Sequence, residues 1–346
     1  MYTTELATQE EIDRWNELIS SCPYSEPLHT VQWRDGLAAS FRQLKPLYFV
    51  IKDNDNIVGA LPCFCFQPVP FSKTLLSMPW ALPGGPLIFP EADAAEATLS
   101  VCRKLDEMAS ERHSFETTFT LPPDCDTNIG ENLISAGYVE EAGQFVHILD
   151  VKNGYEETWK AYDRGIQKAL RQAERAGVTV RETDGEAEMV YFYKLYLAEM
   201  KRFGSTPKPY SMLRHLQTSP VGRFIVAERE GQIISAILFL HFNSRVRLWC
   251  QASDREFMKY RPSNAAIDYA VQWSCKNGCR SVDFGASPPE SKGLIAYKED
   301  WGAKKAWFST FTRLHSRWRK KLWTASESSL RRAYAAIQRF KIRNVQ

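Results

Sequence analysis

The sequence predicts an α/β (α+β) protein built from two tandem copies of one unit, each a mixed, twisted sheet flanked by helices, with a basic helix at the C-terminus. Three observations lead there. First, the chain has 346 residues, 44% hydrophobic and 25% charged. That composition is ordinary for a globular protein and excludes disordered, collagenous and coiled-coil classes. One core rarely grows past about 250–300 residues, so two domains are expected. Second, the order of apolar runs, turns and helical stretches occurs twice. Third, the charge is uneven: residues 311–346 carry ten basic side chains and the single acid Glu327, a net of +9. The remainder, with 34 basic and 40 acidic residues, has a net of −6, so the overall +3 is an average of two unlike parts.

The repeat is legible in two hairpins. Residues 49–61, Phe-Val-Ile-Lys-Asp-Asn-Asp-Asn-Ile-Val-Gly-Ala-Leu, and residues 224–237, Phe-Ile-Val-Ala-Glu-Arg-Glu-Gly-Gln-Ile-Ile-Ser-Ala-Ile, each read as strand, polar turn, strand. Helical stretches precede both, at about 9–20 and 186–203. After each hairpin come a helix (about 91–112 and 263–277), a strand (Phe115–Thr120 and Ser281–Phe284), a further helix, and a turn at Gly137-Tyr138 or Trp301-Gly302. Repetition of the whole order, about 170 residues apart, indicates duplication. The expected divisions are 1–153, 154–312 and a tail at 313–346. Within the second domain a connecting helix is expected over Tyr155–Gly177, its apolar stripe formed by Trp159, Tyr162, Ile166, Ala169, Leu170 and Ala173. Arg164, Lys168, Arg171 and Arg175 lie on its other faces, either as solvated cations or as the border of a site for an anionic substrate.

No run approaches the roughly 18 apolar residues of a membrane span, and the N-terminus lacks a signal-peptide pattern. Of the eight cysteines, Cys63-x-Cys65 lies in a strand-like stretch and Cys275-x3-Cys279 lacks nearby histidines at metal-ligand spacing, so thiols in the cytoplasm and no metal are expected. Asp283-Phe284-Gly285 occurs without the glycine-rich loop or His-Arg-Asp segment of a kinase.

Several segments carry a resemblance. Pro23-Tyr-Ser-Glu-Pro-Leu-His29-Thr-Val-Gln-Trp33 comes first, followed by Arg164-Gly-Ile-Gln-Lys168-Ala-Leu-Arg171-Gln-Ala-Glu-Arg175-Ala-Gly177-Val and by Phe192-Tyr-Lys-Leu-Tyr196 with Lys201-Arg202-Phe203-Gly204. Asp283-Phe-Gly-Ala-Ser287 with Gly293-Leu-Ile-Ala-Tyr297-Lys298-Glu-Asp-Trp301-Gly302 completes the set. In this order, over roughly 10–310, they resemble the GNAT-type acyltransferase superfamily, and within it the FemAB-like and CelD-like acyltransferases with tandem GNAT-like domains. The resemblance implies transfer of an acyl or aminoacyl group to an amine of a cell-envelope precursor, of peptidoglycan or an exopolysaccharide. It also implies that Lys298, matching the lysine of the family's Phe-Lys motif, belongs to the catalytic pocket; Tyr297 stands where phenylalanine is usual. Arg202 and Tyr210 match positions near the acceptor more loosely, and Trp33 lies in the matching opening segment.

The chemistry can be read separately. Acyl transfer to an amine needs a group to orient the nucleophile and a donor for the developing oxyanion. Asp283 lies at the C-terminal end of an expected central strand, where open α/β sheets place their sites, and is read either as catalytic or as a turn residue before Gly285. Lys298 could hold a carboxylate or phosphate or stabilise an oxyanion. Trp249, Gln251 and Ser253 alternate on a strand expected to face the cleft. The co-substrate is acyl-CoA or aminoacyl-tRNA, with no bound cofactor expected. An acyl-CoA enzyme of the superfamily cradles pyrophosphate on a glycine-rich loop opening a helix. Here that place reads Arg261-Pro262-Ser263-Asn264-Ala265-Ala266, so Arg261 and Asn264 would be cofactor-binding only if acyl-CoA is the donor. Asparagine in the glycine position favours the tRNA-dependent reading. The competing reading is a catalytically silent module binding a glycan or lipid headgroup.

In the tail, Leu314, Trp318 and Leu322 recur every four residues, and Leu330, Tyr334 and Ile337 continue the stripe among arginines and lysines. It is read as a helix packed on the protein by its aromatic face, as a peripheral anchor at the inner face of an anionic membrane, or as a contact for tRNA phosphates.

Overall fold

The structure, a computed structural model, describes residues 1–327 and 329–330. The chain forms two compact units: Met1–Gln144 with the described residues from Trp307 onward, and Phe145–Ala306. The crossing points differ from the expected 153/154 and 312/313 divisions. They fall inside two long strands, where no change of composition marks them, and the start of the expected tail belongs to the first unit.

The first unit contains β1 (Thr3–Leu6), α1 (Gln9–Asp13), α2 (Trp15–Ser20), α3 (Val31–Ser40), β2 (Leu44–Pro46), β3 (Phe49–Asp53), β4 (Asn56–Leu61), β5 (Phe64–Phe66), β6 (Thr74–Leu76), β7 (Leu87–Ile88), α4 (Ala94–Glu111), β8 (Glu116–Thr120), α5 (Thr127–Ser135) and the start of β9 (Val139–Asp150). Its longest helix, α4, follows from sequence: Asp93 caps it by accepting from Ala95 N and Glu96 N, and Ala97, Val101, Leu105 and Met108 bury one stripe. Its strands divide between two sheets, β1-β3-β4-β7 and a second containing β8-β6-β5-β2. Pro62 follows β4 and has no N–H for a ladder, so the chain leaves the first sheet there and enters the second at Phe64. A single mixed sheet was expected for this copy.

The second unit contains α6 (Tyr155–Ala161), α7 (Arg164–Arg175), β10 (Thr179–Glu182), α8 (Glu186–Arg202), α9 (Tyr210–Gln217), β11 (Gly222–Arg229), β12 (Gln232–Phe242), β13 (Arg245–Ser253), α10 (Pro262–Lys276), β14 (Ser281–Ala286), α11 (Lys292–Glu299) and the start of β15 (Lys304–Leu314). Its strands run β10-β11-β12-β13-β14-β9, with β13 and β14 the parallel pair. Residues 224–227 are all buried, which requires cover on both faces. Ile225, Ala227, Ile237 and Phe239 join one core with Ala266, Ile267, Ala270 and Val271 of α10, while Phe224 meets Phe192 of α8 with ring centroids 5.4 Å apart.

The two hairpins share a detail beyond their outline. Each has a two-residue turn, between Asp53 and Asn56 and between Arg229 and Gln232, and each has a register shift at the same distance from it, Ile51/Lys52 and Ala227/Glu228. A bulge re-aims side chains and twists a strand, so its recurrence at the equivalent place supports duplication.

The expected helix over Tyr155–Gly177 is two helices. Asp163 caps α7, accepting from Gly165 N at 2.6 Å, and its own N–H donates to Asp300 O at 2.7 Å. The break lies where Gly302 meets the end of α6: a Cβ there would sit 2.9 Å from Ala161 Cβ and Ala161 O, and φ is +77°. Only glycine fits both conditions. Trp301, fully buried, sets its ring edge on to Tyr162 at 5.0 Å. Asp268, also buried, accepts from Tyr155 Oη, Tyr162 Oη and Gln272 Nε2, tying α6 to α10. Burial of that carboxyl raises its pKa.

After β15 the chain forms a helix over 317–327. Its half-buried positions are 319, 320, 323, 326 and 327, so its inner face is not the Leu314-Trp318-Leu322 stripe. Trp323 packs on Phe66 at 6.0 Å instead, Lys320 pairs with Glu116 at 2.5 Å, and Arg319 donates to the His113 carbonyl. Tyr334 and Ile337 lie outside the described residues. No described helix is long and apolar enough to cross a membrane.

Candidate functional site

Strands β13 and β14 are paired for only three residues, Arg245–Arg247 against Ser281–Asp283. Beyond that pair they carry no mutual ladder, and on the other edge of β14 the register against β9 shifts between Asp283 and Ala286. The sheet therefore opens at the C-terminal end of β14, the position in which an α/β sheet can admit a ligand. Arg247 and Asp283, the last paired residues, form a buried ion pair at 2.8 Å.

Asp283 uses both oxygens. One meets Arg247 and the other accepts from Gly285 N at 2.5 Å. Gly285 has φ +75°, so this turn selects glycine. The turn aims the carbonyls of Gly285 and Ala286 at Lys298 of α11, whose Nζ donates to them at 2.8 and 3.0 Å. Lys298 is 6% exposed. Burial lowers its pKa to about 8, opposed by Asp283 and assisted by Arg247. Two of the three ammonium donors are thus directed, and the arrangement holds a positive charge where the strands separate.

His147, on β9, sits between Val146, which faces Ala286, and Ile148, which faces Asp283. Its ring is fully buried and neither nitrogen has a hydrogen-bond partner; the nearest carboxylate oxygen, Glu299 Oε1, is 4.0 Å away. Burial and then the charge of Lys298 hold its pKa below the usual value. Lys305 pairs with Glu299 at 3.1 Å beside it. Neither His147 nor Arg247 is marked by a motif, because strands distant in sequence bring them to the fork.

The other expected site residues separate into groups. Tyr297 is half-buried, with its ring 6.3 Å from Trp301. Trp249, Gln251 and Ser253 do not share one set of neighbours. The β12/β13 register shift at Leu238/Phe239 makes Trp249 the bulged residue, and its ring lies 5.9 Å from Lys208 Nζ. Gln251 and Ser253 instead meet the start of α10: Gln251 Nε2 donates to Ser263 O at 3.3 Å, and Ser253 Oγ contacts Ser263 Oγ and Ser235 Oγ, each at 2.7 Å. Lys208 is a third residue that sequence reasoning passed over. Its backbone is clamped by Tyr193 Oη and Tyr196 Oη, each at 3.0 Å, and burial lowers its pKa to about 8. Tyr210 packs edge-on to Tyr193 at 5.3 Å, and its hydroxyl is buried without a hydrogen bond.

Arg202 is exposed at the end of α8, bonded to Glu199 at 2.7 Å and stacked on Phe203 at 3.9 Å. Arg164 is exposed with Lys168, Arg171 and Arg175, a solvated face of α7. Trp33 is a correction: it is fully buried in the first unit, its indole donating to Met78 Sδ at 3.2 Å, so no surface of it is left for a substrate.

At the start of α10, Arg261 is left-handed (φ +59°) and Pro262 occupies the first helical position. Pro262 has no N–H, the amides of Asn264 and Ala265 both donate to Arg261 O at 3.1 and 3.2 Å, and Asn264 is buried. A pyrophosphate cradle needs free amides, and at this turn one is missing at Pro262 while those of Asn264 and Ala265 are bonded to Arg261 O. Among the described residues no group of three or more His, Cys, Asp or Glu is placed to hold a metal.

Residues 160–299 match the acetyltransferase (GNAT) domain family. No curated protein matches the chain in sequence. Among solved structures the fold is similar to that of FemX, with TM-score 0.75 and 14% identity over 93% of this chain and 99% of that one. It is also similar to a tandem GNAT protein from the clavulanic acid biosynthesis pathway, with TM-score 0.58 and 14% identity over 91% and 98%. A third is the C-terminal domain of a putative lysylphosphatidylglycerol synthetase from Agrobacterium fabrum, with TM-score 0.59 and 11% identity over 92% and 96%. The chain thus has a tandem GNAT-like fold, and its second unit carries an acyltransferase domain.

Proposed function

We propose that this GNAT-type acyltransferase moves an acyl or aminoacyl group on to an amine of a cell-envelope precursor, with charged tRNA as the favoured donor. The observation that carries the reading is the buried Lys298 ammonium, fixed by the Gly285 and Ala286 carbonyls at the opening of the β13/β14 fork. In acyl transfer a neutral amine attacks the donor carbonyl, the C=O electrons move to oxygen, and collapse breaks the bond to the leaving oxygen of the tRNA, which takes up the proton that the amine loses. An ammonium already desolvated and oriented stabilises that oxyanion without reorganising. In this reading Lys298 is catalytic. Asp283 is a positioning residue, since its two oxygens are engaged in holding the turn and Arg247.

The cell-envelope side of the acceptor assignment, though not its amine, is supported by one neighbour's name, that of a putative lysylphosphatidylglycerol synthetase. Tyr210, Trp249 and Arg202 are proposed for the acceptor side, and Gln251 and Ser253 for the donor side. The turn at Arg261–Ala266 disfavours acyl-CoA, so no step is assigned to that group. The protein would act in the cytoplasm.

The test is incubation of the full chain with labelled acyl-CoA and, separately, with charged tRNA, each with amine-bearing envelope precursors. Transfer from tRNA is expected, and Lys298→Ala should lower it by at least about 100-fold, the scale of losing one oxyanion donor. Unchanged turnover in a folded Lys298→Ala protein sinks the assignment. Transfer from neither donor, with tight precursor binding, would establish a silent binding module instead.

A further inference from the structure

The helix over 317–327 divides its surface by helical period. Positions 319, 320, 323, 326 and 327 are half-buried against the first unit, while 317, 318, 321, 322, 324 and 325 are exposed. The inner face is well engaged: Trp323 on Phe66, Lys320 on Glu116, and Arg319 on the His113 carbonyl. The outer face is the unusual one. Trp318 is 59% exposed and Leu322 47%, one helical turn apart, and Leu314, 44% exposed, ends β15 shortly before the helix. Arg317 and Lys321, also exposed, flank Trp318 and Leu322. Isolated exposed hydrophobic residues are common, but Trp318 and Leu322 one turn apart beside Arg317 and Lys321, on a helix whose other face is packed, form a surface of defined chemistry.

We propose that this outer face docks on an anionic lipid bilayer. Tryptophan and leucine beside arginine and lysine are what an interfacial helix presents: apolar groups enter the acyl boundary while the cations meet headgroup phosphates. The charge is complementary and directional. Residues 311–346 hold ten cations and one acid, against a net of −6 for the rest, so an anionic surface attracts this segment and not the remainder of the chain. A polyanionic RNA would use the cations equally, yet it has no use for outward Leu314 and Leu322, which lipid does. The docking is independent of the acyl-transfer reading, since it involves no residue of the β13/β14 fork.

The experiment is sedimentation of the full chain with vesicles of equal phosphatidylglycerol and phosphatidylcholine, with vesicles of phosphatidylcholine alone, and retention of labelled tRNA in parallel. The chain is expected to bind the anionic vesicles and not the neutral ones. W318E/L322E, on exposed positions, should weaken vesicle binding at least about tenfold while leaving the melting temperature unchanged. R317Q/K321Q should weaken it about tenfold and lower its sensitivity to salt. Binding to anionic vesicles that W318E/L322E leaves unchanged overturns the proposal. So does absence of vesicle binding, whether or not tRNA is retained. A failure of acyl transfer with vesicle binding intact would leave this surface standing.

Discussion

Lys298, held as an ammonium, and His147, held neutral, are two buried basic groups of the second unit, and their pH responses run in opposite directions. The Lys298 ammonium is the active form in the proposed chemistry, and burial lowers its pKa to about 8. Activity should therefore fall as pH rises through about 8, some two units sooner than for an ordinary lysine. The measurement is kcat against pH, with Lys298→Ala losing that limb along with the rate. An unchanged kcat up to pH 10 would exclude the assignment. His147 shows the other sign. Its folded-state pKa lies below the ordinary value of about 6.5, so on acidification the unfolded chain binds the proton first. The stability that depends on the neutral ring is complete above pH 6.5 and is lost as pH falls below it. His147→Phe should flatten the fall in melting temperature between pH 7 and 5; an identical fall in both proteins would refute the account. The Arg247–Asp283 ion pair adds two further buried charges at the fork. Arg247→Leu strands the Asp283 carboxylate and should cost about 3–5 kcal/mol, whereas Arg247→Leu with Asp283→Asn should cost less. Denaturant midpoints of the single and double variants decide it. Of these four residues, Asp283 and Lys298 were legible because a glycine turn and an aromatic-lysine segment surround them. Arg247 and His147 were not, since burial and pairing across strands leave no local signature.

At the level of elements, periodicity and turn residues predicted most of what formed. Both hairpins, α4, α8, α10, β8 and β14 lie where alternation or helical spacing placed them. The failures each have a local cause. Asp163 is a strong N-cap, and it splits the helix expected over Tyr155–Gly177 because Gly302 lets a distant turn approach Ala161. Gly302→Val should destabilise by about 1–3 kcal/mol through the positive φ and the overlap with Ala161 together. Gly231→Ala, at a positive φ with no atom near its Cβ, should cost only the φ penalty of about 1 kcal/mol. Equal losses at the two glycines would contradict the close-approach argument. Pro62 similarly sends β5 to a second sheet, an effect that depends on where the next open edge lies.

For the molecule as a whole, duplication and the asymmetry of charge were available from the residues alone. A strand-turn-strand pattern read twice needs only local alternation, and a tail with ten cations to one acid needs only counting. The sequence by itself therefore determined the α/β class and the tandem organisation, and it singled out Asp283 and Lys298 as candidates. Tertiary structure decided where the chain passes between its units, inside strands that composition cannot divide. It decided that Trp33 is core. It also decided that Trp318 and Leu322 face outward while Trp323 packs inward. The physical reason is common to all three. Local structure follows from backbone preference and side-chain period, which neighbours in sequence carry, whereas burial depends on which distant surface arrives to cover a residue.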